Sequence, residues 1–144
     1  MGVRIVKNSV ILVLILLLIS GILQCTSRSR IVKEDDEAIL RRRVQEFWSY
    51  KIKGEWDKSY PYESPEFREK TKVEIYIIQN QRSVMKWEEF EVIELWVSGK
   101  EGYVKLKTKY RYLISRFMKT PFERVVEEQW LKKEGQWYHF SPPA

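Results

Sequence analysis

Hydrophobic and polar positions divide the chain into three stretches with different periods. Val10 to Leu23, "VILVLILLLISGIL", is apolar with no charge. From Asp35 the apolar residues recur near every 3.6 positions. Leu40, Val44, Phe47, Trp48 and Lys51 fall at i, i+4, i+7, i+8 and i+11, one stripe of an amphipathic helix. Asp35 and Asp36 favour its positive end, while Lys51, Lys53 and Gly54 supply the C-terminal signal. After Val84 the period becomes two. In "YVKLKTKYRYLI" Val104, Leu106, Thr108, Tyr110 and Tyr112 share one strand face, and Lys105, Lys107, Lys109 and Arg111 share the other.

Between these stretches, "EWDKSY" predicts a short helix with Trp56 and Tyr60 on one side. Ser64 then suits an N-cap and Pro65 the first helical position. "KVEIYIIQN" reads as helix, although its β-branched residues also suit a strand. The predicted strands are Trp87–Ser98, Tyr103–Ile114, "ERVVEEQWLKK" and "WYHF", with turns at Gly99–Gly102 and "EGQ". Helices first and consecutive antiparallel strands afterwards predict an α+β domain, a sheet packed against a long helix.

Length and composition add limits. The 144 residues allow one compact domain plus an appendage. Charge is +6, and Arg4 and Lys7 carry two of these, leaving a mild +4 on the rest. That surplus does not argue for nucleic acid, and aromatics do not interleave with the basic face of Tyr103–Ile114. One cysteine excludes an intrachain disulfide framework, and with one histidine it excludes a Cys/His zinc site. No motif points to a metal or a cofactor.

The N-terminal pattern is a positive start, "MGVRIVKNS", an apolar run, and then Cys25 before the polar "TSRSR". Ser9 to Gln24 makes about 24 Å of helix, short of a bilayer core of roughly 30 Å. This stretch resembles a bacterial lipoprotein precursor, with Ile22-Leu23-Gln24-Cys25 in place of its lipid-attachment pattern. The resemblance implies that Cys25 carries a lipid and that the domain sits in the cell envelope, facing away from the cytoplasm. An uncleaved anchor and a secretory cut elsewhere stay open, since Gln24 stands where the pattern has a small residue. The expected organisation is a signal or anchor over 1–24, a tether over 25–34 and a domain over 35–144.

The order of motifs in the domain, a Phe-Trp-Tyr patch, "GEWDKSYPYESPEFRE" and "EEQWLKKEGQWYHF", resembles the nuclear-transport-factor-2-like (cystatin-like) α+β cones. The resemblance implies a pocket between helices and sheet. Relatives include isomerases and dehydratases with pocket Asp, His or Tyr, and many members that only bind or assemble. Pocket candidates are Phe47, Trp48, Trp56, Tyr60, Tyr110, Tyr112 and Trp130. His139, sharing a strand face with Trp137, and Asp57 are weak catalytic candidates: a histidine base needs an orienting carboxylate, and no pattern supplies one. The expectation is therefore a membrane-tethered, non-catalytic binding or assembly module, with a possible protein partner or homodimer through the sheet. The alternative is a small isomerase- or dehydratase-type enzyme using His139 with Asp57 or a pocket Tyr.

Overall fold

The computed structural model describes residues 35–113 and 120–141, all within one compact unit spanning Glu34–Ala144. The expected signal or anchor over 1–24, the tether over 25–34 and Cys25 lie outside the described residues. Among the described residues, no helix is long and apolar enough to cross a membrane.

The unit is α+β. Helix α1 (Asp36–Lys53) is followed by the short α2 (Trp56–Ser59), a 3₁₀ turn (Tyr60–Tyr62), α3 (Pro65–Lys70) and α4 (Val73–Gln81). Strands β1 (Met85–Ser98), β2 (Glu101–Tyr112), β3 (Phe122–Lys133) and β4 (Gln136–His139) then form an antiparallel meander in the order β1-β2-β3-β4. "KVEIYIIQN" is helical. α2 stops at Ser59, and Pro61 lies inside the 3₁₀ turn that follows it.

Local chemistry sets the element ends. Gly54 takes φ 72° after α1, and its N–H returns to the carbonyls of Lys51 and Tyr50, satisfying groups the helix end leaves free. The Ser64 hydroxyl accepts from the Phe67 N–H at 3.2 Å, capping α3.

The α1 stripe packs as its period predicts. Leu40, Val44, Phe47 and Trp48 are fully buried against Val104, Leu106, Trp130 and Trp137. Each side chain of this size contributes roughly 1.5–3 kcal/mol on burial, so the eight together dominate the unit's apolar stabilisation. Gly102 makes the close approach possible. A Cβ there would overlap Leu40 Cδ2 and lie 3.3 Å from Trp137 Cζ3.

β1 does not keep a strict period of two. Register shifts between Trp87 and Glu89, and between Val92 and Glu94, re-phase the strand. Trp87, Phe90, Val92, Leu95 and Val97 therefore sit opposite Tyr110, Thr108, Leu106, Val104 and Gly102, all toward α1. Glu89, Glu91 and Glu94 sit opposite Lys109, Lys107 and Lys105 on the other face.

The free edge of β4 is covered. Arg43 Nε donates to the Trp137 carbonyl at 3.1 Å, and the Ser64 N–H donates to the His139 carbonyl at 3.1 Å. Glu63 thereby forms a parallel bridge to His139. This bridge brings a residue between two short helical segments against the last strand of the sheet, and it builds the site below.

Candidate functional site

His139 is the centre of a buried polar cluster. Its Nδ1 lies 2.9 Å from Glu63 Oε2, and its Nε2 lies 3.5 Å from Glu128 Oε1. The ring packs on Phe47, with centroids 4.9 Å apart, and edge-on to Trp130 at 5.6 Å. The orienting carboxylates that sequence spacing does not reveal are thus Glu63, 76 residues upstream, and Glu128 on the neighbouring strand.

Each carboxylate is fully engaged. Glu63 accepts from the Ser141 hydroxyl at 2.9 Å and from the Tyr76 hydroxyl at 3.3 Å. Tyr76 is in turn 3.1 Å from Ser59 Oγ. Glu128 accepts from two indoles, Trp48 Nε1 at 3.1 Å and Trp130 Nε1 at 3.2 Å. Such buried charges are tolerated only when paired and hydrogen-bonded, and both are.

Burial pushes the Glu63 carboxyl up. The hydrogen bond with His139, its charge, the Ser141 hydroxyl and the charge of Lys51 outweigh burial and hold it below the ordinary carboxylate range. Burial lowers the Lys51 ammonium, against the opposing pull of Glu128 and Glu63. Lys51 Nζ sits 4.1 Å from the Trp48 ring centroid and 4.7 Å from that of Phe47, so aromatic faces supply part of its solvation. The Tyr76 phenol is pushed well above its usual range, first by burial and then by the Glu63 charge.

Beside this cluster lies a cavity of about 530 Å³. Phe67, Leu131 and Phe140 give it apolar walls; Ser64, Thr71, Gln79 and Ser141 give it polar ones; Glu66, Lys70 and Lys133 add charged groups. Glu66 and Lys133 pair with each other. Ser141 belongs to both features. It lines the cavity, and its hydroxyl is fixed on Glu63 Oε2 with His139 Nδ1 at 3.2 Å.

Solved structures with this fold are found among SEC-C motif containing proteins. One from Rhodopseudomonas palustris is 18% identical, with a TM-score of 0.54 over 74% of this chain and 75% of that one. Another, from Psychrobacter arcticus, is 10% identical with a TM-score of 0.56; 77% of this chain matches 63% of that longer protein. TsrD from Streptomyces laurentii is 16% identical, with a TM-score of 0.52 over 74% of this chain and 89% of TsrD. No family model and no curated protein matches the sequence. At these identities the likeness shows the fold alone. It corrects the resemblances drawn from the sequence: two of these neighbours are SEC-C motif containing proteins and none of the three is described as a nuclear-transport-factor-2-like or cystatin-like cone, and the lipoprotein assignment that accompanied them gains no support. The physical reason is that the quoted motifs are helix stops, caps and hairpin turns. Many α+β domains need those residues at those places.

The aromatic pocket candidates separate into three groups. Phe47, Trp48 and Trp130 meet around His139 and Glu128, but they fill a core and do not line the cavity. Trp56 and Tyr60 pack around Tyr76, at 6.5 and 5.5 Å between centroids. Tyr110 and Tyr112 lie at the far end of β2, against Phe122 and Trp87. Asp57 is exposed on α2, and the carboxylates against His139 are Glu63 and Glu128. Among the described residues, no group of three His, Cys, Asp or Glu side chains is placed to hold a metal ion.

Sequence reasoning missed Glu63, Glu128 and Ser141. A signal existed for Glu128. It lies two residues before Trp130 on a strand of period two, so a buried Trp130 implies an inward Glu128. Glu63 and Ser141 carry no such local signal.

The arrangement differs from a nucleophilic triad. There the hydroxyl bonds one imidazole nitrogen and the acid the other. Here Ser141 and Glu63 converge on the same Nδ1, and the hydroxyl gives its proton to the carboxylate. Both ring nitrogens face carboxylates, so the imidazole presents no free nitrogen to the cavity. Within the cluster, Glu63 and His139 fix the Ser141 hydroxyl.

Proposed function

We propose that this chain is a non-catalytic binding module whose ligand is a small, largely apolar molecule held in the cavity between α3, α4 and the ends of β3 and β4. The observation that supports this most is the wall composition. Phe67, Leu131 and Phe140 supply the apolar walls of a cavity of about 530 Å³, within the usual range for small-molecule sites, and one polar group there, Ser141, is oriented by a buried carboxylate. A few fixed polar groups on an apolar wall suit recognition. A reaction needs a free base or an activated nucleophile, and the contacts of His139 supply neither.

Titration with N-phenyl-1-naphthylamine, a neutral apolar fluorophore, tests the reading. Saturable, one-to-one enhancement of its fluorescence is expected. Leu131→Trp, which fills the cavity, should abolish it while leaving the circular dichroism spectrum intact. Absence of saturable binding to the wild type, or undiminished binding to folded Leu131→Trp, would overturn the proposal.

A further inference from the structure

The walls of the cavity also select a head group, and this inference rests on the binding role proposed above. Ser141 has one proton and two lone pairs. The proton is committed to Glu63 Oε2 at 2.9 Å, a carboxylate that is itself 3% exposed and engaged with His139 and Tyr76. What Ser141 Oγ has left to offer a ligand is a lone pair. A ligand group meeting it must therefore donate a hydrogen bond.

Charge narrows the choice. An anionic head group at Ser141, whatever it gained from the opposite charge of Lys70, would have to draw the Ser141 proton away from Glu63 and sit close to that buried negative charge. A cationic head group would enter past Lys70 and Lys133, which also line the cavity. Lys133 is neutralised by Glu66, but Lys70 shows no carboxylate partner among the described residues. A neutral donor meets neither obstacle. Its apolar remainder would lie against Phe67, Leu131 and Phe140.

We infer that the cavity is a site for neutral amphiphiles that carry a hydroxyl group, with that hydroxyl donating to Ser141 Oγ. Glu63 and His139 are then positioning residues. They set the direction of the Ser141 proton, and so decide that Ser141 accepts a hydrogen bond from the ligand and does not give one.

Displacement of bound N-phenyl-1-naphthylamine separates the possibilities. 1-Decanol, its methyl ether and decanoate share the chain and differ in the head group: a donor, an acceptor only, and an anion. Decanol should displace the probe at a concentration about fivefold below that of the ether, the ratio one ordinary hydrogen bond gives. Decanoate should be weaker than decanol. Ser141→Ala should bring decanol and ether together, and Ser141→Thr, which keeps a hydroxyl, should restore most of the gap. The ether matching decanol on the wild type, decanoate exceeding decanol, or an unchanged gap in folded Ser141→Ala would each overturn the head-group inference. All three outcomes would leave the binding role intact, because the probe would still be bound. Failure of the probe to bind at all would instead strike the binding role itself.

Discussion

Glu127 and Glu128 are neighbours on β3 with the same chemistry and opposite situations. Glu127 faces out, its side chain 74% exposed, and shares Lys105 with Glu94 at 3.3 Å each. Glu128 faces in, with its side chain 5% exposed, and holds two indole N–H groups and one edge of His139. The outer face repeats the Glu127 arrangement along β2. Lys107 pairs with Glu123 at 3.0 Å, Lys109 with Glu89 at 2.6 Å, and Arg111 with Glu88 at 3.1 Å. The basic stripe is thereby neutralised across the strands. The contrast teaches that water, and not the number of ion pairs, decides what a charge is worth. In water an ion pair replaces good solvation with a similar interaction; in the core the partners are the only solvation there is.

Removing the inner carboxylate should therefore have the largest effect. Glu128→Ala leaves Trp48 Nε1 and Trp130 Nε1 without an acceptor and takes away one of the two counter-charges of Lys51. A loss of about 3–5 kcal/mol is expected from urea unfolding. Glu127→Ala should move the urea midpoint little. Equal losses from the two variants would break the comparison.

The next effect concerns the glycines at either end of the β1–β2 turn. Gly102 faces the core and Gly99 faces solvent at φ 61°, with no atom within 4 Å of a Cβ placed there. Gly102→Ala forces Leu40 and Trp137 apart, at about 1–3 kcal/mol. Gly99→Ala carries only the left-handed backbone cost, about 1 kcal/mol. If the Gly102 loss comes from crowding, Leu40→Ala in the same chain should recover part of it, and thermal unfolding of the double variant checks this.

How much of this was legible in the sequence depends on whether a residue's partner lay nearby. The α1 stripe, the β2 alternation, the Gly54 stop and the Ser64 cap are set by spacing within one element, and they stand where the sequence put them. The alternation of β3 even carries the burial of Glu128, which shares its face with Trp130. Lys51 was placed on the buried stripe, but a lysine at a helix end reads first as a dipole partner. Glu63 sits between Tyr62 and Ser64 like any solvated loop residue. Only the parallel bridge to His139, formed when the chain folds back on β4, makes it a buried acid. The bulges in β1 were illegible for a related reason. Which of Glu88 or Glu89, and which of Ile93 or Glu94, is the extra residue depends on the pairing with β2. The cavity follows the same rule, since its walls come from four separated segments, and Phe47, Trp48 and Trp130, which looked like pocket lining, were needed to fill the core.

Acid should separate the faces next. The folded pKa of Glu63 lies below its unfolded value, so its contribution is present above the ordinary carboxylate range and is lost as pH falls through the folded value. Stability should therefore decline on acidification below about pH 4.3, the usual glutamate value. Glu63→Gln, which keeps the shape and removes the titration, should flatten that part of the curve. Glu123→Gln on the outer face should leave the curve near that of the wild type. Denaturant midpoints measured across the acid range check both, and an unchanged slope in Glu63→Gln would remove the inner cluster from the account.

Salt should give the smallest effect and act in the opposite place. The outer pairs stand in water, where raising NaCl from ~0.05 M to ~1 M shortens the screening length from over about 10 Å to about 3 Å. Lys105 is held above the ordinary lysine range first by its hydrogen bond to Glu94, then by that to Glu127, and by the charges of both. Replacing it by Met keeps most of the aliphatic stem and removes those pairs. The small shift in urea midpoint produced by Lys105→Met should shrink further in high salt, because the wild type has by then lost much of the same attraction. The shift produced by Glu128→Ala should hardly change, since salt does not reach a carboxylate enclosed by Trp48, Trp130 and His139. A salt-sensitive Glu128 would mean that water enters the core beside His139, and the division between the two faces would then fail at its centre.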